Sequence, residues 1–126
     1  MIVAIGTDIV EIARIHKALQ QHGRKFAERI LCPAELDRFD QSVQPSAYLA
    51  KRFAAKEALA KALGTGIGAI SWQDMETHNT PKGRPQFRLS TTAQQAMSEL
   101  GADEVMLSLS DEQHYALAFV VLSKMP

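Results

Sequence analysis

The stretch that decides this fold is Lys51-Arg52-Phe53-Ala54-Ala55-Lys56-Glu57-Ala58-Leu59-Ala60-Lys61-Ala62-Leu63, followed by Gly64-Thr65-Gly66-Ile67-Gly68. Its first part is dense in strong helix formers. A glycine such as Gly64 is the residue expected just past a helix end. The stretch therefore predicts a long helix that ends at Leu63 and is followed by a glycine-rich turn.

Phe53, Glu57 and Lys61 lie four residues apart, so they form one row on this helix. Phe53 heads the row, which indicates that the row points inward. A carboxylate and an ammonium group on such a row, beside a glycine turn, suit a phosphate and metal site. The same residues also fit a solvated ion pair contributing about 0.3–0.5 kcal/mol and an ordinary helix cap. This stretch alone leaves both interpretations open.

A second segment, IVAIGTDIVEI at residues 2–12, is rich in β-branched residues and predicts a buried strand. A lone aspartate inside such a strand is costly unless it is paired or bound to a cation, so Asp8 needs a partner. Gly6 would let another backbone or a ligand approach closely. An alternative is that Thr7 or Asp8 caps the helix that follows.

Together the two segments closely resemble the bacterial holo-[acyl-carrier-protein] synthases, the small members of the 4′-phosphopantetheinyl transferase superfamily. The matching motifs are Gly-Thr-Asp-Ile-Val-Glu-Ile, from Gly6, and Arg-Phe-Ala-Ala-Lys-Glu-Ala-x-x-Lys-Ala-x-Gly-Thr-Gly, from Arg52. A Gly-x-Pro element at Gly83–Pro85 and the last strand pair extend the resemblance over nearly the whole chain.

The resemblance implies an enzyme that transfers 4′-phosphopantetheine from coenzyme A to a serine of apo acyl carrier protein and releases adenosine 3′,5′-bisphosphate. It implies Mg²⁺ held by Asp8 and Glu57, from one chain or from different subunits of a trimer, a hard cation suited to few carboxylates plus phosphate oxygens. Lys61 would stabilise charge on the departing phosphate. The general base stays open between Glu57 and a metal-bound water oriented by Asp8. The alternative function is a non-catalytic coenzyme A or nucleotide-binding module.

Family members bind coenzyme A in a cleft that the glycine turn and the Gly-x-Pro element line. The positions carried over as binding candidates are Lys61, Gly64, Thr65, Gly66, Gly83 and Pro85. The turn follows a helix, whose dipole disfavours phosphate there, although its amides could form an anion nest. Many relatives have Ser-x-Ser-His before the last strand, where this chain has Ser108-Leu109-Ser110-Asp111. No role of that histidine carries over, and Asp111 reads as a hairpin residue.

A basic stretch lies between residues 13 and 30, where five cations face Glu28 alone. Nucleic acid is not the expected partner, because the stretch has no interleaved aromatic residue except Phe26 and no binding motif. A solvated helix face is the ordinary alternative. With the family resemblance, the stretch is predicted to dock the acidic helices of acyl carrier protein. The docking candidates are Arg14, Lys17, Arg24 and Lys25.

Length and composition predict one domain over residues 1–126, with 46% apolar and 22% charged residues, and the resemblance implies that it is a phosphopantetheinyl transferase domain. The sequence has no apolar run of the ~20 residues that a membrane span needs and no signal-peptide pattern, so we expect a cytoplasmic location and no membrane partner. The single Cys32 excludes an internal disulfide.

The order of the elements predicts an α+β fold, and the resemblance implies the 4′-phosphopantetheinyl transferase-like fold, an antiparallel sheet with the long helix packed on it. Ser46 could cap that helix. The last strand, apolar on both faces, is expected to be central or to lie at a subunit interface. The resemblance implies a homotrimer with active sites between subunits. Strands are predicted at Ile2–Asp8, Ile70–His78, Pro85–Leu89, Glu104–Ser110 and His114–Ser123, and shorter helices at about 10–21, 25–31, 33–39 and 91–100.

Overall fold

The computed structural model describes the whole chain, Met1–Pro126. Five strands and five α-helices follow one another, with a short 3₁₀ turn at Trp72–Asp74. In chain order they are β1 (Ile2–Glu11), α1 (Ile12–His22), α2 (Arg24–Ile30), α3 (Pro33–Gln41), α4 (Pro45–Leu63), β2 (Met75–Asn79), β3 (Pro85–Leu89), α5 (Thr91–Glu99), β4 (Glu104–Asp111) and β5 (Tyr115–Ser123).

The strands form two antiparallel sheets, a three-stranded one in the order β1-β5-β4 and a two-stranded one of β2 and β3. Helix α4 packs on one face of the larger sheet, mainly against β1 and β5. The predicted α+β fold, an antiparallel sheet carrying a long helix, is therefore confirmed. No helix combines the length and the apolar character that crossing a membrane requires.

Gly6 is the point at which β1 and α4 touch most closely. A Cβ atom at this position would lie 2.0 Å from the carbonyl oxygen of Ala58 and 2.9 Å from the amide nitrogen of Ala62. Only glycine leaves room for this approach, so the prediction of a close backbone contact is confirmed. The buried face of α4 is lined with small residues, namely Ala50, Ala54, Ala55, Ala58, Ala60 and Ala62.

Several predicted boundaries are wrong. Strand β1 continues to Glu11, so Thr7 and Asp8 lie inside it and cap no helix. Residues 70–74 do not extend β2, because the 3₁₀ turn places Trp72 against Phe53 with ring centroids 5.2 Å apart. Ser46 does not cap α4. That helix already begins at the preceding proline, and the Ser46 hydroxyl lies 3.1 Å from Nδ1 of His16.

Strand β5 is the central strand of the larger sheet, as one of the two sequence interpretations expected. Its residues alternate between a buried face under α4 and an exposed face. The exposed face continues onto β1 and β4 in register. It carries large apolar side chains that are 40–61% exposed: Ile5, Ile9, Met106, Tyr115, Leu117 and Phe119.

Candidate active site

Asp8 and Lys61 meet where β1 crosses α4, two residues beyond the close contact at Gly6. The Lys61 Nζ donates hydrogen bonds to Asp8 Oδ1 at 3.1 Å and to the carbonyl oxygen of Thr7 at 3.0 Å. The Asp8 side chain is only 17% exposed, whereas that of Lys61 is 54% exposed. The partner that the partly buried aspartate needs is thus Lys61, and the ammonium remains accessible from solvent.

Glu57 lies one helical turn before Lys61 and lines the same pocket as Asp8, which has a volume of about 350 Å³. Burial raises the pKa of Glu57 above its usual value. The negative charge of Asp8 raises it further, and Lys61 offsets part of this. The fold therefore brings both predicted carboxylates of one chain to one pocket. Along this row the solvent exposure increases, from the half-buried Phe53 and Glu57 to the exposed Lys61.

The rest of this pocket is mostly apolar and is formed by β1, α1, α2 and α4. Its other lining residues are Ile9, Val10, Arg14, Ile15, Ala18, Phe26 and Phe53. Arg14, a predicted docking residue, therefore stands in the wall beside the two carboxylates. A charged floor with apolar walls can hold a phosphate-bearing reactant at one end and an apolar side chain at the other.

The glycine turn ends α4 as predicted, with Gly64 in the left-handed conformation at φ 76°. Its amides are not free for an anion. The Gly64 amide donates to the Lys61 carbonyl, and those of Thr65 and Gly66 both donate to the Ala60 carbonyl at 3.2 Å. The anion nest considered from the sequence is therefore wrong, because the helix end uses these donors itself.

Gly83 and Pro85 lie elsewhere in the chain, in the turn between β2 and β3. With Lys82 and Arg84 they line a groove of about 880 Å³ whose other wall is Leu107–Leu109 of β4. No residue of this groove lines the pocket at Asp8. Within one chain, the groove at Gly83 and Pro85 is thus separate from the carboxylate pocket.

Arg24 differs from the other predicted docking residues because acids of its own chain occupy its guanidinium. Its Nε and Nη2 donate to the two carboxylate oxygens of Asp40 at 3.0 and 2.7 Å, and Nη1 donates to Glu28 at 3.1 Å. The hydrogen bond from Arg24 lowers the pKa of Asp40. By contrast, Lys17 and Lys25 are exposed without an ion-pair partner.

Arg52 is a residue that the sequence reading missed. Its side chain is buried, with its Cζ 4.9 Å from the ring centroid of Tyr48 and its Nη2 donating to Asn79 Oδ1 at 3.2 Å. Its Nε and Nη1 have no hydrogen-bond partner in the chain. A buried cation without an acidic partner is costly, which makes it a candidate anion-binding group. The helical pattern held no signal for this burial.

Asp111 ends β4 beside the hairpin to β5. Its Oδ1 lies 3.6 Å from Nζ of Lys51 on α4. The residue therefore ties the hairpin to the long helix through a partly exposed ion pair, which fits the hairpin role expected of it.

A family model described as the 4′-phosphopantetheinyl transferase superfamily matches residues 4–120. The chain belongs to this superfamily. Among curated superfamily members, the holo-[acyl-carrier-protein] synthase of Halorhodospira halophila is 48% identical over 97% of this chain and 98% of the relative. That of Shewanella amazonensis is 51% identical over 96% of this chain and 98% of its own length.

Solved structures of superfamily members have the same fold. The holo-[acyl-carrier-protein] synthase of Neisseria meningitidis matches with a TM-score of 0.91 and 48% identity, covering 98% of this chain and all of that one. The Helicobacter pylori protein, solved in complex with coenzyme A, matches with a TM-score of 0.82 and 38% identity over 94% and 99% of the two chains. The predicted family and enzyme class are confirmed. The activity is transfer of phosphopantetheine from coenzyme A to acyl carrier protein.

Proposed function

We propose that Asp8 and Glu57 of one chain together hold Mg²⁺ against the diphosphate of coenzyme A. The observation that carries this proposal is that both carboxylates line one pocket, with Lys61 bonded to Asp8 at 3.1 Å. The donor set fits the metal, because Mg²⁺ is usually bound by one or two carboxylates plus phosphate oxygens and water. No cluster of three or more His, Cys, Asp or Glu residues competes for it.

The reaction needs the diphosphate to be neutralised and a serine hydroxyl to attack the phosphorus that carries pantetheine. When bound, the cation supplies charge neutralisation of the diphosphate. Lys61 stabilises the charge that develops on the departing 3′,5′-bisphosphate, since its exposed ammonium lies 3.1 Å from Asp8 of that pocket. Glu57, whose pKa is raised by burial, is the candidate base for the serine proton.

The direct test incubates the protein with coenzyme A and apo carrier protein, with Mg²⁺ or with a chelator. We expect the carrier to gain the mass of one phosphopantetheine with Mg²⁺ and no mass with the chelator. Without the cation, the negative charge of the diphosphate beside the two carboxylates is not neutralised. Mass spectrometry of the carrier measures this. An equal mass gain with the chelator would contradict the metal site.

A cytoplasmic location stays a prediction.

The carrier protein is proposed to dock on α1 and α2, beside the carboxylate pocket. Arg14 in the pocket wall, with the exposed Lys17 and Lys25, supplies positive charge for an acidic helix. Arg24 contributes less charge than the sequence suggested, because Asp40 and Glu28 already bind it.

Charge reversal tests this docking face. For Lys17→Glu, at an exposed residue outside the carboxylate pocket, we expect the KM for carrier protein to rise about tenfold, since like charges repel an acidic partner, while the KM for coenzyme A stays unchanged. Steady-state kinetics with each substrate varied measures both constants. The control is Lys124→Glu, which makes the same charge change beyond β5, at the opposite end of β1 from α1. An equal rise for coenzyme A in Lys17→Glu would assign the residue to the coenzyme cleft.

A homotrimer with active sites between subunits is proposed for the assembled enzyme. Two observations support it. The sheet face around Leu117 and Phe119 exposes more large apolar side chains than an isolated chain usually leaves in water. The groove at Gly83 and Pro85 also shares no lining residue with the carboxylate pocket, and in the proposed trimer a neighbouring subunit would bring the two together. Arg52, bonded to Asn79 beside that groove, would then face a coenzyme phosphate.

Placing a charged residue in the exposed apolar face of the sheet tests the assembly. We expect Phe119→Glu to give monomers that lose at least about 99% of activity, because a charge in the apolar contact is costly and the site is left incomplete. Light scattering coupled to gel filtration measures the mass. The control is Val43→Glu, at a residue that is 95% exposed outside the sheet and should leave mass and activity unchanged. A wild-type monomer with full activity would contradict the proposal.

A further inference from the structure

Lys56, the neighbour of Glu57 on α4, is fully buried, and each proton of its ammonium group has a hydrogen-bond acceptor. Its side chain and that of Glu35 are both 0% exposed, and they form an ion pair of 2.7 Å. The three protons of the Lys56 ammonium have three acceptors. These are Glu35 Oε1 at 2.7 Å, the Ile30 carbonyl at 2.7 Å and the Trp72 carbonyl at 3.1 Å.

Both carboxylate oxygens of Glu35 likewise accept hydrogen bonds from the chain. Its Oε1 also accepts from the Cys32 amide at 2.8 Å, and its Oε2 accepts from the amide and the hydroxyl of Thr77 at 2.9 and 2.6 Å. The network therefore joins α4 to the end of α2, to α3, to the 3₁₀ turn and to β2. No sequence pattern indicates this network, because Lys56 and Glu35 lie 21 residues apart on different helices.

Net stability is a weak reason for this pair. Replacing a buried ion pair by neutral groups of similar size is often neutral or stabilising, because both charges have to be desolvated. Directional hydrogen bonds do, however, define an orientation that apolar contact does not. On α4 this matters, because small residues such as Ala58 and Ala62 form its closest contact with the sheet at Gly6. Their side chains carry no polar groups and so add no directional bond that defines the rotation of the helix about its axis.

Rotation of α4 would move the active-site carboxylate. The end of a glutamate side chain lies roughly 6–7 Å from a helix axis, so a rotation of about 10° shifts it by about 1 Å. A shift of this size is enough to spoil a shared metal position. Asp8 is on β1 and does not move with the helix, so the distance between the two carboxylates depends on how α4 is turned.

We propose that the Lys56–Glu35 pair is a positioning device that fixes the rotation of α4 and so holds Glu57 at the separation from Asp8 that one divalent cation requires. The inference rests on the proposed metal site. Lys56 itself touches neither substrate nor metal, because it is enclosed by α2, α3 and the 3₁₀ turn.

The test is the double variant Lys56→Met with Glu35→Gln, which removes both buried charges and keeps the side-chain volume. The dissociation constant of Mn²⁺, read from the electron spin resonance signal of the free ion with coenzyme A present, is the first readout. The second is kcat at saturating metal, per folded protein. We expect the dissociation constant to rise at least about tenfold and kcat to fall about tenfold, with the KM for coenzyme A unchanged.

The matched control is Arg88→Met with Glu76→Gln, which removes an ion pair between β3 and β2. It should change neither readout. If the first double variant does not fold, Lys56→Arg is the second variant, because it keeps the charge while its planar fork cannot meet the same three acceptors. A folded Lys56 variant with the Mn²⁺ affinity and kcat of wild type would overturn the positioning role.

Glu57→Gln separates this inference from the metal site on which it depends. If Glu57→Gln weakens Mn²⁺ binding and the Lys56 variants do not, the positioning role alone is overturned. If Glu57→Gln leaves Mn²⁺ binding unchanged, the assignment of the metal site is wrong, and the positioning role is overturned with it.

Discussion

The Asp8→Asn enzyme is expected to transfer phosphopantetheine at least about a hundredfold more slowly than wild type. The substitution keeps the size of the side chain but removes one of the two proposed metal-binding carboxylates and the partner of Lys61, to which it is bonded at 3.1 Å. Removing one group that stabilises developing charge typically costs a factor of about 100–1000 in kcat. The rate of mass gain by the carrier, at saturating coenzyme A and Mg²⁺, measures the effect.

The control for this change is Asp37→Asn, at an exposed aspartate of α3 with no hydrogen-bond partner in the chain. It should leave kcat unchanged. Asp8→Asn and Lys61→Ala should also be non-additive when combined, since the two residues contact each other. An Asp8→Asn enzyme with kcat within threefold of wild type would show that Asp8 serves the fold and not the chemistry.

Gly6→Ala is expected to destabilise the protein by about 3 kcal/mol and to impair transfer as well. The added Cβ would lie 2.0 Å from the Ala58 carbonyl oxygen, a backbone atom that cannot move without α4. Overpacking of this kind costs about 1–3 kcal/mol, occasionally more. Because Asp8 follows two residues later on β1, separating the strand from the helix also stretches its contact with Lys61. Urea unfolding followed by circular dichroism measures the loss.

Gly101→Ala is the comparison for this prediction. Gly101 has φ 87°, and a Cβ added there would meet nothing within 4 Å. The cost should be the conformational strain alone, about 1–2 kcal/mol, without loss of activity in the folded enzyme. If Gly6→Ala were no more destabilising than Gly101→Ala, the close contact of β1 with α4 would not be what positions Asp8.

Local sequence signals predicted the elements that depend on neighbouring residues. Gly64 marked the end of α4 correctly, and the need of Asp8 for a partner was correct, because a buried carboxylate is costly in any fold. The approach of a backbone at Gly6 was also foreseen. The identity of the approaching backbone, that of α4, could not be predicted, because it depends on how β1 packs on that helix.

The missed features depend on residues far apart in the chain. Nothing in the helical pattern of α4 separates the buried Arg52 and Lys56 from the exposed Lys61. Their burial arises from the 3₁₀ turn, α3 and β2, which pack along that face. Arg24 looked free for docking because its partner Asp40 lies 16 residues away on the next helix.

The central claim is that one divalent cation bridges Asp8 and Glu57 against the coenzyme diphosphate. Crystals grown with coenzyme A and Mn²⁺ test it most directly, because the anomalous signal of manganese locates the ion independently of the protein atoms. We expect one peak within about 2.5 Å of a carboxylate oxygen of each residue and of the diphosphate. A peak bound to the diphosphate but out of reach of either Asp8 or Glu57 would contradict the claim.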